Sequence, residues 1–147
     1  MTGGTAWLEV AEGRRTLAEL RGIGPDTLGA LTAIGHLLYQ HGRDAEAIEI
    51  FEGLVALDPR AGYPHRALGL LYLRAQKLPQ AVHHLNAAVQ AEAATLDDGS
   101  GGCLLAEALL ASGRADEALR AAERAAAVAR DGAVRIRATL LARRSRG

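Results

Sequence analysis

Apolar side chains recur every three or four positions over an early stretch of the chain, and a glycine interrupts them once. This spacing puts an apolar stripe on each of two helices, predicted from Leu28 to His41 and from Asp44 to Leu57. Gly42 separates the two helices. Small Gly35 and Ala47 predict where the antiparallel helices approach most closely. The larger apolar positions are Leu31, Ile34, Leu38, Phe51 and Leu54.

The same order of small and large residues returns 34 residues later, with Gly69 and Ala81 at the crossing positions. A helix–turn–helix unit with this period is typical of the tetratricopeptide repeat. The second unit predicts helices from Tyr63 to Ala75 and from Leu78 to Glu92. Two copies in register make a chance match implausible.

A third, weaker copy is centred on Ala106 and Ala118. Its wider spacing from the second copy predicts a loop over the glycine-rich segment that ends at Gly102. A final helix is predicted from Ala133 to Arg144, where most of four apolar residues should share one face and cap the open end of the repeats. These residues are Val134, Ile136, Leu140 and Leu141.

The prediction is therefore an all-α chain of seven or eight helices: three tetratricopeptide repeats in a short right-handed solenoid, with an N-terminal helical extension and a C-terminal capping helix. The aromatic content of 3% favours a core of Ala and Leu in close helix packing. The predicted single domain, 1–147, comprises an N-terminal helical region (5–27), repeats at 28–61, 62–95 and 99–132, and a capping helix with a basic tail (133–147).

Charge is balanced over the whole chain but not along it. From Arg120 onward, eight arginines stand against Glu123 and Asp131. Such a tail could contact nucleic acid, although a solvated helix face is the commoner reason for it. Cys103 is the single cysteine, which excludes an internal disulfide and fits a reducing compartment. No basic leader or membrane-length apolar run is seen, so a cytoplasmic location with no membrane partner is expected.

The segment Gly22-Ile23-Gly24 has a DNA-binding alternative, because Gly-x-Gly before a helix resembles a helix-hairpin-helix turn. Asp26, however, would face the phosphate and repel it. Asp26 or Thr27 is instead predicted as the N-cap of the next helix. A DNA-contacting regulator remains a minority alternative.

The residues with reactive side chains do not form a recognisable catalytic or metal motif. His36 and His41 lie on different faces of one helix, and the adjacent His83 and His84 point about 100° apart. No histidine pair has the i, i+4 spacing of a helical metal site. Cys103 has no partner at a recognisable spacing. We expect no enzyme activity, no metal and no cofactor.

A repeat solenoid offers a concave surface lined mainly by the first helix of each repeat, at positions 2, 5, 9, 12 and 13 of the repeat. This mixture of apolar and hydrogen-bonding groups is typical of an extended-peptide groove. The predicted groove residues are Thr32, His36, Tyr39, Gln40, Tyr63, Arg66, Leu70, Leu73, Arg74 and Glu107, and Cys103 also falls at such a position. Trp7, Leu8 and Leu17 precede the repeats and are predicted either to dock on them or to form a dimer contact.

From about Thr16 to Val128, the order of the elements resembles one group of small tetratricopeptide proteins, the class II type III secretion chaperones of the LcrH/SycD type. The motifs are Thr16-Leu17-Ala18-Glu19-Leu20, Gly22-Ile23, Asp26-Thr27-Leu28, Tyr39-Gln40-His41-Gly42, Leu57-Asp58, Leu68-Gly69 and Ala106-Glu107-Ala108-Leu109-Leu110. The resemblance implies dimerisation through the N-terminal region and a concave groove that holds an extended segment of a hydrophobic translocator. The family usually carries Tyr and Phe where this chain has Thr32 and His36.

Two functional interpretations follow. The first is a secretion chaperone with a dedicated protein or peptide client, acting as a homodimer or a monomer. The second is a general tetratricopeptide scaffold or regulatory adaptor in another bacterial assembly. Both are non-enzymatic and bind protein, whereas a nucleic-acid partner is not expected.

Overall fold

The computed structural model describes residues 3–93 and 97–147, and within them it contains helices and no strands. This confirms the all-α prediction. The helices are α1 Gly3–Ala11, α2 Leu17–Leu20, α3 Pro25–Gln40, α4 Asp44–Leu57, α5 Gly62–Arg74, α6 Leu78–Ala93, α7 Ser100–Ala111, α8 Ala115–Val128 and α9 Gly132–Ser145. The described residues thus form nine helices and not seven or eight, because the N-terminal region contributes two.

The chain divides into two compact units, of which one extends to Pro64 and the other begins at His65. The division falls inside α5. None of the described helices combines the length and the apolar composition needed to cross a bilayer.

In the unit that ends at Pro64, the short helix α2 begins with a reciprocal pair of hydrogen bonds. Oγ1 of Thr16 accepts from the Glu19 backbone N–H at 3.1 Å, and Oε2 of Glu19 accepts from the Thr16 backbone N–H at 2.8 Å. This capping box satisfies two N–H groups that a helix start otherwise leaves unpaired. Gly13, with φ +71°, adopts a left-handed conformation that interrupts the helical course after α1, so the N-terminal region forms two helices.

Helix α3 begins at Pro25, three residues before its predicted start, and Gly24 is its N-cap. The prediction that Asp26 or Thr27 caps this helix is therefore wrong. Proline fits the first helical position because its φ is already helical and its missing N–H has no partner there. The predicted bounds of α4 are confirmed. Gly35 and Ala47 are both buried, as expected for crossing positions.

In the unit that begins at His65, close helix approach rests on small residues. A Cβ atom on Gly69 would lie 2.3 Å from Cγ of Leu85, and one on Gly102 would lie 2.9 Å from Cβ of Ala125. Neither glycine leaves room for a side chain, so α5 packs closely on α6 and α7 on α8. Four alanines of α8 are buried, which accounts for a core with few aromatics: Ala118, Ala121, Ala122 and Ala125.

The predicted loop before the third repeat is shorter than expected. Helix α7 already begins at Ser100, so the last three residues of the predicted loop are helical. Oδ1 of Asp98 accepts from the Ser100 backbone N–H at 2.9 Å and so supports the helix start. The predicted end of the second repeat, at residue 95, lies outside the described residues.

Helix α9 does not place its four apolar residues on one face. Leu141 is buried together with Ala138 and Ala142, whereas Ile136 and Leu140 are 64% and 54% exposed. The reason is the helical rotation of 100° per residue, which puts Ile136 and Leu140 on the side opposite Ala138. The expectation of a shared apolar face is wrong for these two residues.

Candidate functional site

Five of the predicted groove residues belong to the unit that ends at Pro64. Four come from α3 and one from the start of α5, and we call them the first cluster: Thr32, His36, Tyr39, Gln40 and Tyr63. Residues spaced by three, four and seven share one face of a helix, so the α3 members form a stripe. Oγ1 of Thr32 donates to the Leu28 carbonyl at 2.8 Å, which turns this hydroxyl back onto its own helix.

His36 contacts two other members of the first cluster. Its Nε2 lies 3.1 Å from the Gln40 side-chain nitrogen, and its Nδ1 lies 3.1 Å from the Tyr63 hydroxyl. His36 therefore links Gln40 and Tyr63 by two hydrogen bonds, one at each ring nitrogen. The sequence analysis assigned both His36 and Tyr63 to groove-lining positions of the repeats but did not predict this hydrogen bond.

The aromatic rings of this cluster lie close together and are partly open to solvent. The Tyr39 ring is 6.1 Å from His36, and the Tyr63 ring meets the buried Phe51 edge-on at 6.1 Å. Tyr63 is 38% exposed and Tyr39 is half-buried. Rings held in this way offer apolar area with a polar tip, which suits contact with an extended chain.

The other five predicted residues belong to the unit that begins at His65, and we call them the second cluster: Arg66, Leu70, Leu73, Arg74 and Glu107. Leu70 and Leu73 are half-buried and Arg74 is exposed. Arg66 does not simply face solvent, because its Nη1 lies 3.4 Å from Oε1 of Glu92 and 3.9 Å from Oδ1 of Asp98.

The Arg66 ion pair is an electrostatic feature that the sequence did not reveal. Burial raises the pKa of the Glu92 carboxyl, and the nearby Arg66 charge opposes that rise. The backbone N–H of Ser100 is the main reason that the pKa of Asp98 is lowered. The guanidinium of Arg66 therefore stabilises the fold through these ion pairs, in addition to any contact that it makes with a ligand.

Glu107 is also paired, with an arginine that the groove prediction omitted. Its Oε1 accepts from Nη2 of Arg137 at 2.7 Å. Beside this pair lies a recess of about 400 Å³, lined by Leu73, Glu107, Leu110, Ala111 and Arg144. Extending the repeat register by one unit into α9 would have found Arg137 and Arg144, because they fall at positions 5 and 12.

Cys103 does not line this site. The side chain is fully buried in α7, and burial raises the pKa of its thiol. A buried thiol of raised pKa is a packing group and not a nucleophile.

A histidine cluster in the same unit was also missed by the sequence analysis. Nδ1 of His65 lies 3.0 Å from Nδ1 of His84, and Tyr72 stacks on His84 at 5.6 Å. The pair joins two helices, so a search for spacing within one helix misses it. Among residues 3–93 and 97–147, no three His, Cys, Asp or Glu side chains are arranged to hold a metal ion.

The predicted dimer residues lie on the first two helices. Trp7 and Leu8 are 52% and 57% exposed, and Leu17 is half-buried. The guanidinium carbon of Arg21 lies 5.6 Å from the Trp7 ring centre, which is a cation–π contact. The two exposed side chains leave an apolar surface on α1.

Comparison with known proteins decides the family. The sequence model of the tetratricopeptide repeat matches residues 9–62 and 32–98. This chain is a tetratricopeptide-repeat protein. No curated protein sequence matches it.

Solved structures similar to this tetratricopeptide-repeat protein include proteins of type III secretion. PcrH from Pseudomonas aeruginosa is 27% identical, with a TM-score of 0.76 over 89% of this chain and 100% of that chain. In complex with the chaperone binding region of PopD, PcrH is 25% identical, with a TM-score of 0.77 over 85% and 95%.

Two further structures show the shared fold. The type III secretion translocator chaperone SycD of Yersinia enterocolitica is 22% identical, with a TM-score of 0.73 over 90% of this chain and 97% of that chain. A T3SS complex from Aeromonas hydrophila is 23% identical, with a TM-score of 0.87 over 97% of this chain and 95% of that chain. The resemblance inferred from the sequence motifs is confirmed.

Proposed function

We propose that this protein is a bacterial type III secretion chaperone that binds an extended segment of a secreted, translocator-type client. The likeness to PcrH over nearly the whole length of both chains carries the proposal. Structures similar to this chain hold translocator segments, namely PcrH with PopD or PopB regions and SycD with a YopD peptide. It acts as a non-catalytic binding module in the cytoplasm.

The two clusters supply the chemistry that such a client requires. Apolar client side chains pack on Tyr39 and Tyr63 in the first cluster, and on Leu70 and Leu73 in the second. Backbone carbonyls of the client accept hydrogen bonds from Gln40 and Arg74. An extended chain has unpaired backbone groups, so these donors add affinity without fixing the sequence.

Arg66 has a smaller part in client binding than its position suggests. Its charge is neutralised by Glu92 and Asp98, so moving it to the client would break those pairs.

The biological consequence is protection of the client before export. A translocator carries hydrophobic segments that associate or are degraded when exposed, and a bound chaperone keeps one segment extended and shielded. Such protection requires binding of the client and no catalysis, which agrees with the full burial of the Cys103 thiol.

The experiment is to delete the gene in the source bacterium and to capture the tagged protein from the wild-type cell for mass spectrometry. We expect capture of a secreted protein with hydrophobic segments, whose cellular level and secretion fall in the deletion strain. Normal level and secretion of that protein without the chaperone would contradict the proposal. Capture of only non-secreted assembly components would favour a general scaffold instead.

A further inference from the structure

Where the first helix of a repeat carries a glycine at position 4 or 8, that glycine lies against the second helix of the same repeat. Position 8 is Gly35 in the first repeat and Gly69 in the second, where an added Cβ would meet Phe51 and Leu85. Position 4 of the third repeat is Gly102, where it would meet Ala125. These two positions therefore mark the face on which a second helix packs.

Helix α9 continues the same register without a second helix of its own among the described residues. One repeat length beyond Gly102 and Ala106 lie Ile136 and Leu140, at positions 4 and 8. Both are more than half exposed. The outer face of α9 is thus the face that receives a helix in every complete repeat.

Two shallow recesses flank the ridge formed by Ile136 and Leu140. One, of about 460 Å³, is bounded also by Arg137 and Arg144, and the other, of about 480 Å³, also by Arg135 and Arg143. Side chains of a helix laid along the ridge would fill both recesses, as ridges fill grooves in helix packing.

The charges around the ridge indicate what kind of helix fits. Arg137 and Arg146 pair with Glu107 of α7 and Glu123 of α8, the two helices packed against α9. Within the described residues, Arg143 and Arg144 have no carboxylate partner. They lie in the last turn of α9, where a helix running antiparallel would begin.

We propose that the Ile136–Leu140 face docks an amphipathic α-helix of a partner protein, antiparallel to α9 and acidic in its first turn. Two of the three second helices of this chain provide the precedent: α4 begins with Asp44 and Glu46 and α8 with Asp116 and Glu117, whereas α6 has no acidic residue in its first turn. Acidic residues are favoured in a first turn by the helix dipole. Since Leu140 replaces the glycine or alanine of the repeats, the partner carries a small residue opposite it.

Two other occupants fit less well. Two copies pairing antiparallel through this face would place Arg143 and Arg144 of one copy against the first turn of α9 of the other, which contains no acidic residue. A lipid surface would bury only two large apolar side chains and would leave the recesses unfilled.

The test uses fluorescence anisotropy of the full chain with a labelled, N-acetylated helical peptide of about 18 residues, long enough to form a helix. It carries Asp and Glu in the first turn and Ala opposite Leu140. We expect saturable binding that Leu140→Glu weakens by roughly tenfold or more, with Arg143→Glu as a second variant. Ala127→Glu, which adds the same charge on the exposed side of α8, should leave binding unchanged.

A peptide with Lys in place of the acidic first-turn residues should bind much more weakly. The proposal is overturned if both peptides bind equally, if neither binds, or if Leu140→Glu and Arg143→Glu have no effect. It is equally overturned if this face instead binds phosphatidylcholine–phosphatidylglycerol vesicles, or if the chain self-associates in a way that Leu140→Glu abolishes.

Discussion

A Cβ atom on Gly35 would lie 2.9 Å from Cζ of Phe51 and 3.1 Å from its Cε1. The two residues come from α3 and α4, and Phe51 is fully buried, so the ring is packed in the interior at the crossing. The same ring meets Tyr63 of the first cluster edge-on. The crossing of these helices therefore supports part of the proposed client site.

Replacing Gly35 by alanine should lower the free energy of unfolding by about 1–3 kcal/mol, because the methyl group overpacks the crossing. The matched control is Gly53→Ala in α4, where nothing lies within 4 Å of an added Cβ. That change should raise stability by about 0.5–1 kcal/mol, the usual gain from alanine over glycine inside a helix. Urea denaturation compares them, and equal effects of the two changes would show that the crossing is misplaced.

The helix pairs could be predicted from the sequence because their determinants repeat. Gly35 and Gly69 lie one repeat period apart, and their lack of a side chain lets two helices approach closely. Both glycines are buried in the structure. Burial is thus encoded in residue size and spacing, which a single sequence displays.

The contacts between side chains of different helices could not be predicted in the same way. His65 and His84 are 19 positions apart, and Arg66 reaches Glu92 from another helix. No period connects such partners, since their distance depends on how the helices turn against one another. The exposed face of α9 was missed for a simpler reason. Most of its four apolar residues were expected to share one face, whereas Ile136 and Leu140 lie exposed on the side opposite Ala138.

Glu92 makes stability depend on pH. Burial raises the pKa of its carboxyl above the ordinary value of 4.5, with Asp97 and Asp98 adding to the rise and Arg66 opposing it. A raised folded-state pKa contributes stability that is present below 4.5 and is lost as the pH rises through the folded pKa.

The stability of the wild type relative to Glu92→Gln should therefore fall between pH 4.5 and neutrality. Urea denaturation of both proteins across that range measures the difference. A difference that stays constant, or that grows with pH, would mean that Glu92 is not held in a desolvating site.

The exposed surface of α1 predicts self-association through Trp7 and Leu8. Trp7→Glu should shift the mass measured by light scattering from dimer toward monomer, because a charge would be buried at the contact. Ala45→Glu, which adds the same charge at an exposed position of α4, is the control and should leave the mass unchanged. A wild-type protein that stays monomeric at high concentration removes the dimer but not the fold.

The central claim is client binding through the first and second clusters, and calorimetry of the captured client's chaperone-binding segment tests it most directly. Truncating a central aromatic residue typically costs about 2 kcal/mol in binding, so Tyr39→Ala and Tyr63→Ala should each weaken the segment's affinity roughly thirtyfold with little change in helicity. Glu49→Ala, at an exposed position of α4, should do little. Full affinity in both tyrosine variants, together with loss of binding in Glu49→Ala, would contradict the account.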